Sequence, residues 1–191
     1  MRYYIYLFRH GQTYYNKNKR FTGWKDSKLT FRGIRDAKII AKKLKNKKID
    51  VAYQTRLSRS RDTLKEVLKY HSECRKIIND DRMIERKYGN LQGKYHSTII
   101  ERYGKKQFDI WHRSYNAHPP KGESIKMVED RVRKFIKDLL KKIKKEKINV
   151  AISTHGNSMR PFRKYFEKLN NKQMMKLENP YDDYFVYSVK G

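Results

Sequence analysis

Two histidine–glycine pairs are the first candidate reactive groups, because each follows directly on an apolar run. In "YLFRHGQTYYN", residues 6–16, Arg9 and His10 come at the end of the run. In "VAISTHGNS", residues 150–158, His155 takes the same place. A glycine after each histidine allows the backbone to pass close to a ligand, since glycine has no Cβ. The two pairs therefore predict one site built from two strand ends.

The chemistry that suits two histidines and an arginine is phosphoryl transfer through a phosphohistidine. A neutral imidazole is a nucleophile near pH 7, and an arginine can clamp phosphoryl oxygens with two hydrogen bonds. A second histidine can donate to the same oxygens as charge develops. The leaving oxygen needs a general acid, and "MIERKYGNLQG" offers Glu85. A zinc site is the rival interpretation, but neither histidine has another ligand three or four residues away.

A parallel sheet would bring these groups together, and the hydrophobic pattern predicts one. Four apolar runs are predicted as strands, and three segments with apolar residues at spacings of three and four are predicted as helices. The strands are residues 2–8, 49–53, 148–153 and 184–189, and the helices are residues 31–45, 56–70 and 126–145. Strands that alternate with helices indicate an α/β fold with a mostly parallel sheet. Ligands of such sheets bind beyond the carboxyl ends of the strands, where both histidine–glycine pairs lie.

The chain is predicted to form a single domain over residues 1–191, since this length is typical of one domain. Thr30 is placed as the N-cap of the first predicted helix. Residues 86–123 are the least regular part and contain "KYGNLQGKYH" and "AHPPKGES". We expect this segment to form a cap with short helices over one edge of the sheet.

The charge of the chain is unusual, with 48 Lys and Arg against 20 Asp and Glu and a net charge of +28. Such a field attracts polyanions and anionic metabolites, so nucleic acid is a partner to consider. The excess is mostly lysine spread through helices, as in "KIIAKKLKNKKID". We interpret it as a compositional bias and expect no specific nucleic-acid binding.

The single cysteine, Cys74, excludes an intramolecular disulfide and favours a reducing compartment. No apolar run approaches membrane-spanning length, and the N-terminus lacks the apolar region of a signal peptide. We therefore expect a cytoplasmic protein that does not bind a membrane.

Seven segments, taken in order along nearly the whole chain, match one known family. They are "RHGQTYYN", "RFTGWKDSKLTFRG", "AYQTRLSRSRDTL", "IERKYGNLQG", "YGKKQFDIWHRSY", "PPKGES" and "STHGNSMR". The chain resembles the histidine phosphatase superfamily, and within it the branch of 2,3-bisphosphoglycerate-dependent phosphoglycerate mutases. "RHG" alone is moderately specific, whereas "FTGW" with "ERKYGNLQG" and "HGNS" is highly specific for the mutase branch. The resemblance implies a three-layer α/β/α sandwich with helices on both faces of the sheet.

The resemblance also implies a role for each matching residue. His10 resembles the nucleophile that becomes phosphorylated, and Arg9 and Arg59 resemble the phosphate clamps. Glu85 resembles the proton donor, and His155 resembles the histidine that steadies the transferring group. The implied substrate-binding positions are Asn16, Thr22, Gly23, Arg86, Tyr88, His96, His112, Arg113, Gly156 and Asn157. The family uses no metal, and 2,3-bisphosphoglycerate primes it by leaving a phosphate on the histidine. The implied partner is a small anionic phosphorylated substrate, and the sequence leaves a homo-oligomer open.

Several departures from the mutase pattern bear on the activity. His96 stands where the pattern has a lysine, and His112 stands where it has the first of two arginines. We expect both histidines to bind substrate in the protonated form, because bound anions raise a histidine pKa. The insertion that longer members carry between "HPP" and "GES" is absent, as is almost all of the tail after Val189. A sparse lid favours hydrolysis over transfer.

Three functional hypotheses follow from these observations. The leading one is a mutase that interconverts 2- and 3-phosphoglycerate through phosphorylated His10. The second is a phosphatase that hydrolyses a small phosphomonoester with the same site. The third, from a different class, is a non-catalytic polyanion-binding protein driven by the positive charge. The presence of the full set of Arg9, His10, Arg59, Glu85 and His155 argues against it.

Overall fold

A five-stranded sheet forms the centre of the computed structural model, which describes all of residues 1–191. The strands are β1 (Arg2–Arg9), β2 (Val51–Gln54), β3 (Lys76–Asn79), β4 (Val150–Thr154) and β5 (Tyr184–Lys190). Their order across the sheet is β3-β2-β4-β1-β5. All neighbours pair in parallel except β5, which runs antiparallel to β1. The prediction of a mostly parallel sheet is confirmed.

Seven helices and two short 3₁₀ turns connect the strands. The helices are α1 (Tyr14–Lys17), α2 (Phe31–Leu44), α3 (Ser58–Leu68), α4 (His96–Arg113), α5 (Ile125–Glu146), α6 (Gly156–Glu167) and α7 (Asn171–Lys176), and the turns are Asp81–Met83 and Gly89–Leu91. The three helices predicted from periodicity correspond to α2, α3 and α5, and their predicted first and last residues lie within two residues of the observed ones. None of the helices combines the length and the apolar composition needed to cross a membrane.

The helices cover both faces of the sheet because both faces of β1 are apolar. Successive side chains of a strand point to opposite faces, so Ile5 and Leu7 join one core and Tyr6 and Phe8 join the other. Apolar residues of α5 and α6 complete the first core, and those of α2 and α3 complete the second. This arrangement confirms the predicted three-layer α/β/α sandwich.

The first turn of α2 shows why this helix begins where it does. The Thr30 side chain accepts a hydrogen bond from the Gly33 amide at 3.0 Å, as expected of an N-cap. Gly11 lies against the same turn, where a Cβ would approach the Gly33 carbonyl oxygen to 2.1 Å. The glycine after His10 therefore permits packing against α2 rather than approach of a ligand, which corrects the expectation from the sequence.

The strand β3 is the one strand that the hydrophobic pattern does not predict, and the helices α1, α6 and α7 are not predicted either. This strand is four residues long, reads "KIIN", and leaves Ile77 50% exposed. It lies at the edge of the sheet and pairs only with β2. An edge strand contributes little to the core, so its sequence carries no buried apolar run.

The segment 86–123 lies beside the carboxyl ends of the strands and contains α4. Gly104 interrupts this helix with φ 81°, a left-handed conformation that glycine adopts readily. Apolar residues on both sides of the break pack into a third, small core. That core consists of Phe21, Tyr88, Leu91, Ile99 and Phe108. It fixes the end of α4, and with it His112, near the ends of β1 and β4.

Candidate active site

The two histidines come together because β1 and β4 are neighbours in the sheet. Arg9 at the end of β1 lies opposite Thr154 at the end of β4, and the His10 amide donates to the Thr154 carbonyl at 3.0 Å. The next residue of each strand therefore leaves the sheet at the same place. The His10 and His155 ring centroids are 5.0 Å apart, which places both imidazoles in one site as predicted.

His10 is held as a neutral imidazole with a free Nε2. Its Nδ1 lies 2.8 Å from the Gly11 carbonyl oxygen, and a carbonyl only accepts, so Nδ1 carries the proton. Burial is the main cause that holds the His10 pKa well below 6.5, and the charges of Arg59 and Arg9 lower it further. An unprotonated Nε2 is the form that attacks phosphorus.

His155 is completely buried beside His10. Its Nε2 lies 2.8 Å from the Thr55 hydroxyl, and its Nδ1 has no hydrogen-bond partner. Burial, followed by the charge of Arg59 and the neighbouring His10, holds the His155 pKa well below 6.5. If the Thr55 hydroxyl donates to Nε2, the proton of the neutral ring sits on Nδ1 and is free to be donated.

Two arginines flank the histidines, fully buried Arg59 and half-buried Arg9, and both are oriented by backbone carbonyls. Arg59, in the first turn of α3, donates to the carbonyls of Gly23 at 2.8 Å and Lys25 at 3.0 Å. Burial lowers the Arg59 pKa to about 10, against the opposing charge of Glu85. Arg9 donates to the Asn179 carbonyl at 3.1 Å. These bonds fix both guanidinium groups before any ligand binds.

The unpaired polar atoms of the protein concentrate at this site. Six buried side-chain nitrogens have no hydrogen-bond partner, and five of them belong to the site or its rim. These five are Arg9 Nε, Arg20 Nε, Arg59 Nε, His112 Nδ1 and His155 Nδ1. Buried donors without partners are rare in native proteins. Arg9, Arg59 and His155 can satisfy theirs with the oxygens of a phosphoryl group.

Glu85 reaches the same site from the turn after Met83. Its carboxylate accepts from the Arg86 amide at 2.7 Å and from the Asn157 amide, in the first turn of α6, at 3.2 Å. Its own carbonyl accepts from the Trp24 indole at 2.7 Å. These contacts hold a buried carboxylate on the wall of the cavity.

A cavity of about 830 Å³ opens over these groups. The residues predicted from the sequence that line it are Arg9, Asn16, Thr22, Gly23, Glu85, Tyr88, His96, His112, Arg113, Gly156 and Asn157. His10, Arg59, Arg86 and His155 lie buried behind this wall. No group of three or more His, Cys, Asp or Glu side chains comes together in a way that could hold a metal ion.

Comparison with known proteins places the chain in a family. The model of the histidine phosphatase superfamily (branch 1) matches residues 5–189. The chain belongs to this superfamily. The fold and the paired histidines described above are therefore those of a superfamily member.

Several relatives by sequence are named phosphoglycerate mutases. A 2,3-bisphosphoglycerate-dependent phosphoglycerate mutase of Parvibaculum lavamentivorans is 38% identical, with 91% of this chain and 84% of the relative covered. A protein of the same name from Methanococcus vannielii is 34% identical, with 97% and 90% covered. The phosphoglycerate mutase of Schizosaccharomyces pombe is 37% identical, with 91% and 84% covered.

The solved structures that share the fold include mutases and phosphatases. A phosphoglycerate mutase from Bacillus anthracis aligns with a TM-score of 0.74 at 22% identity and covers 98% of this chain and 92% of its own. A mycobacterial glucosyl-3-phosphoglycerate phosphatase aligns with a TM-score of 0.84 at 22% identity and covers 98% and 91%. At this identity the likeness concerns the fold alone.

Arg86 is the substrate-binding candidate that this superfamily member places differently. Its side chain is fully buried and donates to the carbonyls of Glu123 at 2.7 Å, His112 at 3.2 Å and Ala117 at 3.2 Å. These three bonds tie the end of α4 and the following loop to the Glu85 turn. Arg86 therefore supports the wall of the cavity and does not line it, and its role in substrate binding stays a prediction.

His96 and His112 are half-buried against an aromatic ring in the free protein, and the expectation that they are protonated with substrate bound stays a prediction. Both rings pack against Phe21, with centroids 4.5 Å and 5.6 Å away. Burial lowers the His96 pKa, and Lys19 adds to the effect. Burial also lowers the His112 pKa to about 4, with further contributions from His96 and Arg113. Both residues are therefore neutral at pH 7 in the free protein.

Other residues of the site are not among those predicted from the sequence. Arg20 and Arg160 line the cavity, as does every residue of the segment 175–181. Arg20 lies two residues before Thr22, and Arg160 follows directly on "HGNSM", so both stand inside motifs that were recognised. The segment 175–181 offers no such signal, because only the chain reversal between α7 and β5 brings it over β1.

Proposed function

We propose that this protein is a 2,3-bisphosphoglycerate-dependent phosphoglycerate mutase, which interconverts 2- and 3-phosphoglycerate in glycolysis. The observation that carries the proposal is the neutral Nε2 of His10 beside three unpaired buried donors, on Arg9, Arg59 and His155. The names of the sequence relatives support the choice of substrate.

Priming forms the phosphohistidine. The Nε2 of His10 attacks a phosphorus of 2,3-bisphosphoglycerate, so that an N–P bond forms as the O–P bond breaks. The leaving oxygen takes a proton from the Glu85 carboxylic acid. A monophosphoglycerate leaves, and the phosphoryl group stays on His10.

Turnover reverses this step on the next molecule and then repeats it on the other oxygen. The free hydroxyl of 3-phosphoglycerate gives its proton to the Glu85 carboxylate and attacks the phosphorus on His10. The N–P bond breaks and bound 2,3-bisphosphoglycerate forms. Transfer of its other phosphoryl group to His10 releases 2-phosphoglycerate, with the proton returned from Glu85, so atoms and charges balance over the cycle.

The flanking donors stabilise the transition state of each transfer. Arg9 and Arg59 are already oriented by the carbonyls of Asn179, Gly23 and Lys25. Donors fixed before reaction favour developing charge on the phosphoryl oxygens at little reorganisation cost. In the proposed scheme, His155 Nδ1 donates to the same oxygens.

The rest of the substrate carries a carboxylate and, in the bisphosphate, a second phosphate. Four cationic side chains outside the phosphoryl pocket face the cavity to meet them. They are Arg20, Arg113, Arg160 and Lys176. Arg160 forms an ion pair with no residue of the protein, so its charge is available to a ligand. These cations compensate for neutral His96 and His112.

A phosphatase that hydrolyses a small phosphomonoester is the second candidate function. The observation in its favour is that His96 and His112 are neutral where the mutase pattern has permanent cations. A phosphatase needs the phosphoryl pocket but fewer groups for a second anion. Non-catalytic polyanion binding is disfavoured, because such a protein has no use for a buried acid at Glu85.

One assay separates these functions. Purified protein is given 3-phosphoglycerate with and without 2,3-bisphosphoglycerate, and 2-phosphoglycerate and free phosphate are measured in parallel. A mutase produces 2-phosphoglycerate faster than phosphate and is stimulated by 2,3-bisphosphoglycerate. Phosphate release without isomerisation would instead establish the phosphatase.

A glycolytic role would place the enzyme in the cytoplasm. The homo-oligomer that the sequence leaves open stays untested.

A further inference from the structure

One wall of the cavity is formed by a continuous segment, residues 175–181, here called the closing segment. It begins with the last two residues of α7 and ends at Tyr181, shortly before β5 begins at Tyr184. Since β5 pairs with β1, the segment must cross the end of β1, where His10 lies. The topology therefore brings this part of the chain over the proposed nucleophile.

The closing segment is tied to the site by its buried residue Asn179. The Asn179 carbonyl accepts from Arg9, and its side-chain amide donates to the Gly156 carbonyl at 3.0 Å. Arg163 of α6 donates to the Asn179 side chain at 3.0 Å and to the Glu178 carbonyl at 2.8 Å. The segment is therefore fixed both to the phosphate clamp and to the helix that follows His155.

Tyr181 is the part of the closing segment that contacts the reactive groups. The centre of the Arg9 guanidinium lies 4.0 Å from the centroid of the Tyr181 ring, a cation–π contact. The Tyr181 and His10 ring centroids are 6.4 Å apart. The ring thus flanks both the nucleophile and its clamp, and its hydroxyl forms no hydrogen bond within the protein.

We propose that Tyr181 shields the phosphoryl group on His10 from water and thereby sets the ratio of transfer to hydrolysis. This inference rests on the proposed function, because it concerns the lifetime of the phosphohistidine. The aromatic ring fills space beside Arg9 that water would otherwise occupy, and it holds the guanidinium in one orientation. Excluding water from a reactive intermediate protects it from hydrolysis.

The closing segment takes the place of part of the lid, which the sequence predicts to be sparse. Lids of enzymes that form reactive intermediates keep water out during turnover. The closing segment does this within the fold, since it needs no insertion in the cap and no movement to reach Arg9. Tyr181 is a positioning residue in this scheme, and it takes no part in bond making or proton transfer.

The test follows the phosphoenzyme directly. Wild type and variants are labelled with radioactive 2,3-bisphosphoglycerate, freed of excess ligand, and followed for loss of acid-labile label without an acceptor. Tyr181→Ala is expected to lose the label about tenfold faster, because removal of the ring gives water access to the phosphorus. Tyr181→Phe keeps the ring and is expected to match wild type.

Two further variants make the comparison decisive. Tyr181→Thr opens the same space and replaces the alanine variant if that variant fails to fold. Tyr70→Ala removes a tyrosine that is 52% exposed and outside the cavity, and is expected to behave as wild type. During turnover, the Ala and Thr variants should also release more phosphate for each 2-phosphoglycerate formed.

The outcomes distinguish this inference from the proposed function. If wild type takes up no label on His10, the proposed function fails and the inference fails with it. If wild type is labelled but the label decays equally fast in wild type and in the Ala, Thr and Phe variants, only the role of Tyr181 is overturned. Faster decay in the Ala and Thr variants alone supports it.

Discussion

Two parts of the site differ in how strongly the local sequence determines them. The floor is formed by His10 and His155, and the rim is formed by residues of the segment 86–123 beside the cavity. On the floor, His10 and His155 directly follow neighbouring parallel strands, so the sheet itself brings them within 5.0 Å. On the rim, Arg86, His96 and His112 lie in a segment whose side chains can turn either toward the cavity or toward the protein. The structure turns the Arg86 guanidinium to three carbonyls and packs the histidines on Phe21. A position at a strand end thus determines where the reactive side chain lies. A position on the rim determines only that the residue is near the cavity, and not where its side chain points.

The largest expected effect is on the floor, at the nucleophile. His10→Ala should abolish isomerisation and remove the acid-labile label left by 2,3-bisphosphoglycerate, because the neighbouring His155 has its Nε2 engaged by the Thr55 hydroxyl and, in the proposed scheme, a proton on Nδ1. Peptide mapping of labelled protein provides the measurement, with His71→Ala as a control that removes a histidine outside the cavity. A label that persists in His10→Ala would contradict the assignment of the nucleophile.

The second largest effect on activity is expected at the proton donor, Glu85, on the wall of the cavity. Glu85→Gln keeps the shape of the side chain and removes the acid, so kcat should fall by about 10²–10⁴-fold, the usual contribution of a general acid. KM should change little. Steady-state kinetics with 3-phosphoglycerate measure both values. Activity within a few-fold of wild type would show that another group donates the proton.

The third prediction contrasts two arginines of the rim, Arg86 and Arg113. Arg86→Ala leaves three part-buried carbonyls without their donor, so the free energy of unfolding should fall by roughly 3 kcal/mol. Arg113 is exposed, lines the cavity and forms no hydrogen bond through its side chain. Arg113→Ala should therefore raise KM and leave stability nearly unchanged.

Urea unfolding and kinetics of the two variants decide this contrast. If Arg86→Ala is as stable as wild type and raises KM strongly, Arg86 binds substrate as the family resemblance implies. In that case the sequence motif would predict the roles of the rim residues as well as it predicts those of His10 and His155.

The sequence predicts the floor well because its signals are contiguous with the elements that position it. The apolar runs before His10 and His155 give the strand, its end and the reactive residue in one motif. The edge strand β3 carries no such signal, since it buries little. Arg20 and Arg160 stand inside recognised motifs, yet their types alone do not tell a cavity cation from a surface cation. The direction of the Arg86 side chain and the burial of His112 depend on contacts with α4, which no local pattern specifies.

The fourth prediction uses the burial of His112 on the rim. Its pKa of about 4 in the folded protein lies below the usual value of about 6.5, so the unfolded chain binds the proton first. Burial of the neutral His112 ring therefore costs no stability above pH 6.5. The free energy of unfolding falls as the pH drops from 6.5 toward 4, because protonation then favours the unfolded chain. At pH 5 the loss attributable to His112 should be about 2 kcal/mol.

Urea midpoints at pH 7 and pH 5 measure this loss in wild type and in His112→Asn. The buried His10 and His155 also have lowered pKa values and add to the acid sensitivity of both proteins. The difference between the two proteins therefore isolates His112. Equal losses in wild type and variant would mean that His112 is not buried as a neutral ring.

The smallest expected effect is on substrate binding by the same histidine, and it decides how the rim differs from the mutase pattern. Because His112 is neutral in the free protein, the ratio of KM in wild type to KM in His112→Asn should stay within about twofold between pH 6.5 and 8. Taking the ratio removes the ionisation of the substrate itself. If wild type instead loses affinity as the pH rises through this range and the variant does not, bound anions raise the His112 pKa enough to protonate it. The histidine would then replace the expected arginine as a cation only when substrate is present, and the rim would carry the same charge as the pattern by a different route.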